Sequence, residues 1–358
     1  MIETTSFGTL PDGQEAHVFE LRAGDARVRV SDYGATVLGI DVPDRAGRIA
    51  DVALGFGGLE GYLGPNPAFY GGTVGPVANR TDRAEVPLDG AVYHLAKNDG
   101  PDGRNNNHTD AAHGLHRRLW DAVVDESEGV VRMTCRLADG ELGLPGNRDL
   151  SASFSLARDG EDHVLTVTYG CATDAPTYVS MTNHTYMNLA GHDAGTVLDE
   201  VVTADADAFL PLREDCVSAG EVRPVDGTPF DLRSPRAIAD GVDADDEQIK
   251  IGRGYDHCLC IRGWEPGGAP RHALRVVDPG SGRALDVSVT TPGAHLYTGN
   301  WLGDEGAKDG ATYGPRGGLA FEPEFYPDNI HHPEWPQAVW GPGEPYAQTI
   351  VYRFSTVG

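Results

Sequence analysis

Lysine is nearly missing from this chain. Of 28 basic residues only Lys97, Lys250 and Lys308 are lysine, and they face 54 aspartates and glutamates, for a net charge of −26. Such an excess of negative charge repels nucleic acid and anionic membrane surfaces, and it favours a small or neutral ligand. Cysteine is also scarce. Cys135, Cys171, Cys216, Cys258 and Cys260 are odd in number and include no CxxC pair, so the sequence signals neither a disulfide framework nor a zinc site. No apolar run approaches the roughly 18 residues of a membrane span. The opening "MIETTSFGTL" lacks a basic region followed by an apolar one, so the reading is a soluble, cytoplasmic protein. There is no GxGxxG or Walker loop for phosphates, no GxSxG elbow for a serine nucleophile, and no HxH or HExxH for a metal. Internal repeats and Gly/Ser or Pro-rich linkers are absent too.

What the chain has is glycine (47), proline (24) and a hydrophobic fraction of 40%, the composition of a loop-rich globular protein. Period-two alternation recurs from end to end, most clearly in "RVRVSDY" (27–33), "HVLTVTY" (163–169) and "TIVYRF" (349–354). Turn signals at "PDG" (11–13), "LDG" (88–90), "VDG" (225–227) and "PGSG" (279–282) are expected to join strands to neighbouring strands. Helical periodicity is confined to a turn or two at "SPRAIAD" (234–240) and "HPEWPQAVW" (332–340). The reading is all-β: one large sandwich domain over residues 1–358, with few short helices. The polar run "NDGPDGRNNNHTDAA" (98–112) is expected to form a long functional loop.

Candidate chemistry gathers around "TNHTYMNLAG" (182–191), where Asn183, His184, Thr185 and Asn188 crowd an extended segment. "AAHGLHRRLW" adds His113 and His116, "GYDHCLC" adds Asp256 beside His257, and "GLAFEPEFYPDN" sets Glu322 after three apolar residues. Each has a plain alternative: a histidine satisfied by hydrogen bonds, a turn aspartate, a strand-edge glutamate facing water. The aspartates at 205, 207, 243, 245 and 246 lack the glycine and terminal glutamate of a calcium loop and read as solvated. Histidine plus carboxylate, with the aromatic rings and amides of "HLYTGNWL" (295–302), suits a carbohydrate.

In their order and spacing these segments resemble the aldose 1-epimerase (galactose mutarotase) family. The likeness runs from "YGATVLGIDVPDRAG" (33–47) through "VANR" (77–80), "LDGAVYHLAKN" (88–98), the "HG" at His113, "TNHTYMNLAG", "DGTPFDLR" (226–233), "GYDH" (254–257) and "YTGN" (297–300) to "FEPEFYPDN" (321–329). It implies a large antiparallel β-super-sandwich with a sugar site on a concave face, no metal or organic cofactor, and a small aldose as substrate. The protein would be a monomer or homodimer. Carried over residue by residue, it implies Glu322 as general base and His184 as general acid, with Arg80, His113, Asp256 and Asn79 holding the sugar.

These residue types fit the chemistry. Opening a hemiacetal requires removing the C1 hydroxyl proton while protonating the ring oxygen, and the aldehyde then turns and recloses on its other face. A glutamate of ordinary pKa is ionised at neutrality, and a histidine needs only modest help to be protonated. Glycoside hydrolysis by paired Glu322 and Asp256, a sugar-phosphate epimerase and a non-catalytic sugar binder are the alternatives. The sequence departs from the family pattern at Pro76, where an arginine is usual, at "HGL" for HGG, and at Glu324, where glutamine is common. These departures bear on substrate preference.

Overall fold

The structure, a computed structural model, describes residues 2–358. Strands dominate. A five-stranded antiparallel meander, Ile2–Thr9 to Ile49–Asp51, opens the chain. A nine-stranded sheet carries the long strands Arg148–Asp159, Asp162–Thr173 and Tyr346–Thr356 at its centre. A six-stranded sheet runs in the order Tyr186–Met187, Leu319–Glu324, Gly293–Tyr297, Asp256–Ile261, Ala206–Phe209, Arg223–Pro224.

The alternation read from sequence is the alternation of burial. In Ala26–Ser31, Val28 and Val30 are buried while Arg27 and Arg29, which alternate with them, are half-exposed. Val28 and Ile40 from the meander, Phe154, Val167 and Tyr352 from the large sheet, and Leu259, Leu296 and Phe321 from the six-stranded sheet share one hydrophobic core. Burying that apolar surface is the main favourable term in folding.

Three of the turn signals join paired strands: residues 11–13, 89–90 and 279–282 lie between strands in antiparallel register. The fourth does not. "VDG" follows Arg223–Pro224 of the six-stranded sheet, and the next strand, Arg236–Ala237, belongs to the nine-stranded one, so this turn carries the chain between sheets. The "SPRAIAD" segment forms a single 3₁₀ turn, Ile238–Asp240, and "HPEWPQAVW" ends in a short strand, Val339–Trp340. A helix the periodicity does not announce, Glu247–Gly252, is started by Asp246, whose carboxylate accepts from the amides of Gln248 and Ile249. Arg253 ends it in the left-handed conformation at φ 55°.

Candidate active site

Two adjacent strands of the six-stranded sheet, Gly293–Tyr297 and Leu319–Glu324, supply the polar floor of a pocket of about 570 Å³. Period two sends Phe321 into the core and puts Glu322 and Glu324 on the opposite face. The register sets His295 directly across from Glu322, and Tyr297 across from Asp256. His184 arrives from a different direction. Its backbone N–H donates to Gly72 O and its carbonyl accepts from Gly71 N, each at 3.0 Å. Gly71 lies at φ 65°, where a Cβ would come within 1.9 Å of Val37 O, so this approach admits only glycine.

His184 Nε2 stands 3.4 Å from Glu322 Oε1, with both side chains buried. His184 Nδ1 and Glu322 Oε2 have no partner. Buried polar atoms are rarely left unpaired. Both side chains line the pocket, so the pair as a whole borders the space a ligand would occupy. Burial acts on both in the direction of neutrality. It lowers His184 to about 3. It raises Glu322 to about 8, with Glu324 and Asp256 adding to the rise and the charges of His295 and Arg80 opposing it. The resting pair therefore holds one proton on the carboxyl and a neutral imidazole. This corrects the expectation of an ionised glutamate beside a readily protonated histidine.

The neighbours form a second layer. His295 Nε2 lies 2.8 Å from Asp256 Oδ1 and its Nδ1 lies 3.5 Å from Glu324 Oε1. Burial opposes charge on His295, but these carboxylates raise its pKa to about 10. Burial likewise pushes Asp256 up, yet the hydrogen bond and charge of His295 hold it below its ordinary value. The side-chain amide of Asn79 lies 2.9 Å from His295 Nδ1 and 3.2 Å from Glu324 Oε1. Arg80 lines the pocket with its Nε donating to Asp99 at 2.8 Å.

Of the residues singled out in the sequence, the structure brings Glu322, His184, Asp256, Arg80 and Asn79 to one pocket. His113 is not among them. Its side chain is 74% exposed and its Nδ1 lies 3.3 Å from Asp110, pointing to solvent. His108, five residues earlier, lines the pocket instead, with a ring nitrogen within 4.8 Å of ligand atoms on both His184 and Glu322. The cause is the way the 98–112 loop is clamped. Asn106–Asn107 pairs with Arg80–Thr81, and Thr109 Oγ1 accepts from Val77 N and donates to Val77 O at 2.9 and 2.8 Å. Asn79 N then donates to His108 Nδ1 at 3.1 Å, which leaves Nε2 to carry the proton into the pocket. Burial keeps this imidazole neutral, well below its ordinary pKa.

The polar residues flanking His184 do not orient its ring. Asn183 donates to Gly71 O, and Asn188 donates to the carbonyls of Gly195 and Gly317, so they pin the backbone. The ring is held by Phe69, stacked at 6.0 Å, and by Tyr186 at 4.9 Å. His295 and Glu324 went unassigned in the sequence. The signal for Glu324 was its place two residues from Glu322 on one strand face, and for His295 an imidazole embedded in the apolar "GAHLY".

A sheet-borne pocket with a facing histidine and glutamate and a wall of hydrogen-bonding side chains defines a class, β-sandwich proteins with a polar pocket on one sheet. Comparison with known proteins narrows it. The family model described as aldose 1-epimerase matches residues 17–353. A galactose mutarotase of Bos taurus is 38% identical over 98% of this chain and 97% of its own, and an aldose 1-epimerase of Escherichia coli K12 is 33% identical over 96% of each. Among solved structures, an aldose epimerase homologue from C. elegans superposes with a TM-score of 0.85 at 28% identity, covering 96% of this chain and all of that one. A galactose 1-epimerase from Lactobacillus acidophilus gives 0.83 at 25%, covering 100% and 99%. This chain belongs to the aldose 1-epimerase family.

Proposed function

We propose that the protein interconverts the α and β anomers of a free aldose by ring opening and reclosure, with Glu322 and His184 moving the protons. The observation that carries this is the buried pair itself: two titratable groups 3.4 Å apart, both lining a sugar-sized pocket. Glu322 takes the C1 hydroxyl proton and His184 gives one to the ring oxygen. Both Arg80 and His295 stabilise the carboxylate, so they favour passing the resting proton from Glu322 to His184 as sugar displaces water. Reclosure on the other face of the aldehyde runs the same transfers backwards. Arg80, Asp256, Asn79 and His108 are the positioning residues. A polarimetric assay on freshly dissolved α-galactose and α-glucose tests the reading, and decay of rotation no faster than the spontaneous rate would sink it.

The pocket's charge supports a neutral sugar over a phosphorylated one. Its only lining cation besides the histidines is Arg80, already engaged by Asp99, while Glu214, Asp215 and Asp304 stand around it. Against hydrolysis stands the engagement of Asp256 by His295, which takes the second carboxylate a glycosidase needs. One folding unit spanning the chain accords with the core shared by all three large sheets. No helix among the described residues is long and apolar enough to cross a membrane, and none of the five cysteines is in a disulfide, which accords with a reducing cytoplasm.

Because the pair shares one proton, it titrates in two macroscopic steps. The lower follows His184, held near about 3, and the upper follows Glu322, raised to about 8. The expected kcat/KM profile is flat from about pH 5 to about 7 and falls above about 8, where the pair loses its only proton. An acidic limb centred near 6.5, as an unperturbed histidine gives, would contradict the shared proton.

Proton transfer between two side chains and a sugar requires no Lewis acid. Activity is expected to survive exhaustive chelation. His108, His184 and Glu322 do present converging donor atoms, but a divalent cation held there takes up the lone pairs the sugar needs. Added Zn²⁺ should therefore inhibit in competition with sugar. Loss of activity in chelator, restored by one metal, would overturn this.

A further inference from the structure

Arg80 makes one side-chain hydrogen bond among the described residues, from Nε to Asp99 Oδ2 at 2.8 Å. The guanidinium is a rigid plane, so a bond along one edge fixes where its other donors point. Both residues line the pocket, and their side chains are largely shielded from water, at 16% and 28% accessible. The arrangement is not neutral for the chemistry. Asp99 offsets part of the positive charge that Arg80 directs at Glu322, so its presence beside the reacting pair needs a reason.

Asp99 stands at the root of a short loop that is closed on itself and latched from outside. Its N–H donates to Asn105 O at 3.1 Å and its carbonyl accepts from Asn105 N at 2.9 Å, which closes residues 100–104 into a turn. Asp215, from a second segment that lines the pocket, is the latch. Its Oδ2 accepts from Arg104 Nη2 at 2.8 Å, Asn105 Nδ2 at 3.1 Å and Arg213 Nη2 at 3.0 Å. Its Oδ1 accepts from Arg213 Nε at 3.0 Å. Burial pushes Asp215 up, yet these donors hold it well below the ordinary carboxylate range. It is therefore a fixed charge at neutrality. Arg213 Nη2 also donates to Asp82 Oδ1 at 2.7 Å, two residues beyond Arg80. The circuit thus begins and ends beside Arg80: one aspartate holds its side chain, and the other ties the loop back to the segment that follows it.

We propose that Asp99 and Asp215 are positioning residues of the reaction: Asp99 aims Arg80 at the reacting pair, and Asp215 holds the loop that carries Asp99. This rests on the reading of Glu322 and His184 as the groups that move protons. It gives the 98–112 loop a second task beside the placing of His108. A side chain that must be ordered when the ligand arrives costs about 0.5–1.5 kcal/mol, and an Arg80 already held by a latched carboxylate avoids that cost. Charge fixed in advance also stabilises a developing carboxylate without reorganising during the reaction. The groups that surround Glu322 are His184, His108, His295, Asp256, Glu324 and Arg80, and Asp99 acts on it through the last of these.

The test is mutarotation of freshly dissolved α-galactose across pH, with thermal melts, in wild type, Asp99→Ala, Asp99→Asn, Asp215→Asn and the Asp99→Ala/Asp215→Asn double variant. Asp99→Ala should lower kcat/KM about tenfold, mostly through kcat, because a misaimed group near the chemistry costs rate. Asp99→Asn keeps an acceptor for Arg80 Nε and should recover most of that loss. It carries no charge, so Arg80 acts on Glu322 without offset, the Glu322 pKa falls, and the alkaline limb of kcat/KM should move to lower pH. Asp215→Asn should reproduce part of the Asp99→Ala loss. The double variant should be no slower than Asp99→Ala alone, since both act through one arginine. Should Asp215→Asn not fold, Arg104→Ala removes a latch donor from a side chain that is 55% exposed, with the same expected sign. Wild-type kcat/KM in Asp99→Ala overturns the inference. So does an Asp99→Asn variant as slow as Asp99→Ala with its alkaline limb unmoved, or a double variant whose loss is the product of the single ones. An inactive wild type removes the mutarotase reading and this inference with it, whereas an active wild type with unaffected variants removes this inference alone.

Discussion

Glu322→Gln lowers the maximal mutarotation rate by about 10²-fold or more, equivalent to about 2.7 kcal/mol of lost transition-state stabilisation, and His184→Asn does the same. The amide keeps the shape of the carboxyl but neither accepts nor returns the shared proton. Sugar affinity changes much less, because Arg80, Asp256 and His108 still line the pocket. The double variant falls well short of the product of the single effects, since an acid and a base passing one proton act as a unit. Stability moves the other way. Neither residue is a bystander to folding, for both are buried, and Glu322 is held to a pKa of about 8 against 4.5 for a free glutamate. A carboxyl whose folded pKa is raised contributes stability that is complete below its unfolded value and is lost as pH climbs through the folded one. Glutamine does not titrate, so Glu322→Gln should gain melting temperature relative to wild type as pH rises from about 5 to about 9. Mutarotation kinetics, equilibrium sugar binding and thermal melts on the same preparations check all of this. Near-wild-type rates in Glu322→Gln would remove the assigned base and most of the mechanism with it.

The parts of this protein legible in its sequence are those set by period two. "HVLTVTY" and "TIVYRF" lie as neighbours in the large sheet, in the register His163 to Phe354 through Tyr169 to Gln348. "LAFEPE" is a strand with its carboxylates on one face. Burial of Glu322, which made it conspicuous after three apolar residues, is also what raises its pKa. What alternation does not encode is where irregular segments go. The helix Glu247–Gly252 is only six residues long, too short for a periodic signal, and its one legible mark is the capping Asp246. The turn at 225–227 has the composition of a hairpin but leads to another sheet, because sheet membership is decided by long-range packing. The protonation of the acid–base pair was hidden for a related reason: ordinary pKa values describe groups in water, and only the fold removes the water.

The 98–112 loop gives the clearest separation between motif and geometry. His113 carries the "HG" that drew attention in the sequence, yet it faces solvent; His108, inside the loop, faces His184 with ring centroids 5.3 Å apart. His108 is positioned to donate from Nε2 to a sugar hydroxyl, its Nδ1 being occupied by the Asn79 amide. Removing a buried donor costs about 1–3 kcal/mol, so His108→Ala should weaken sugar binding about tenfold or more, read as a rise in KM that exceeds any fall in kcat. Since Asn79 N–H also loses its acceptor, the melting temperature of that variant should drop, and His108→Gln, which restores an acceptor and a donor, should recover part of both. His113→Ala should match wild type within about twofold in every kinetic parameter, because an exposed ion pair contributes little. The two single variants, assayed for KM and kcat on galactose and for equilibrium binding, decide the matter. If His113→Ala carries the loss of affinity and His108→Ala does not, then the loop closes over bound sugar in a different arrangement, and the histidine that the motif marks is the one that touches the substrate.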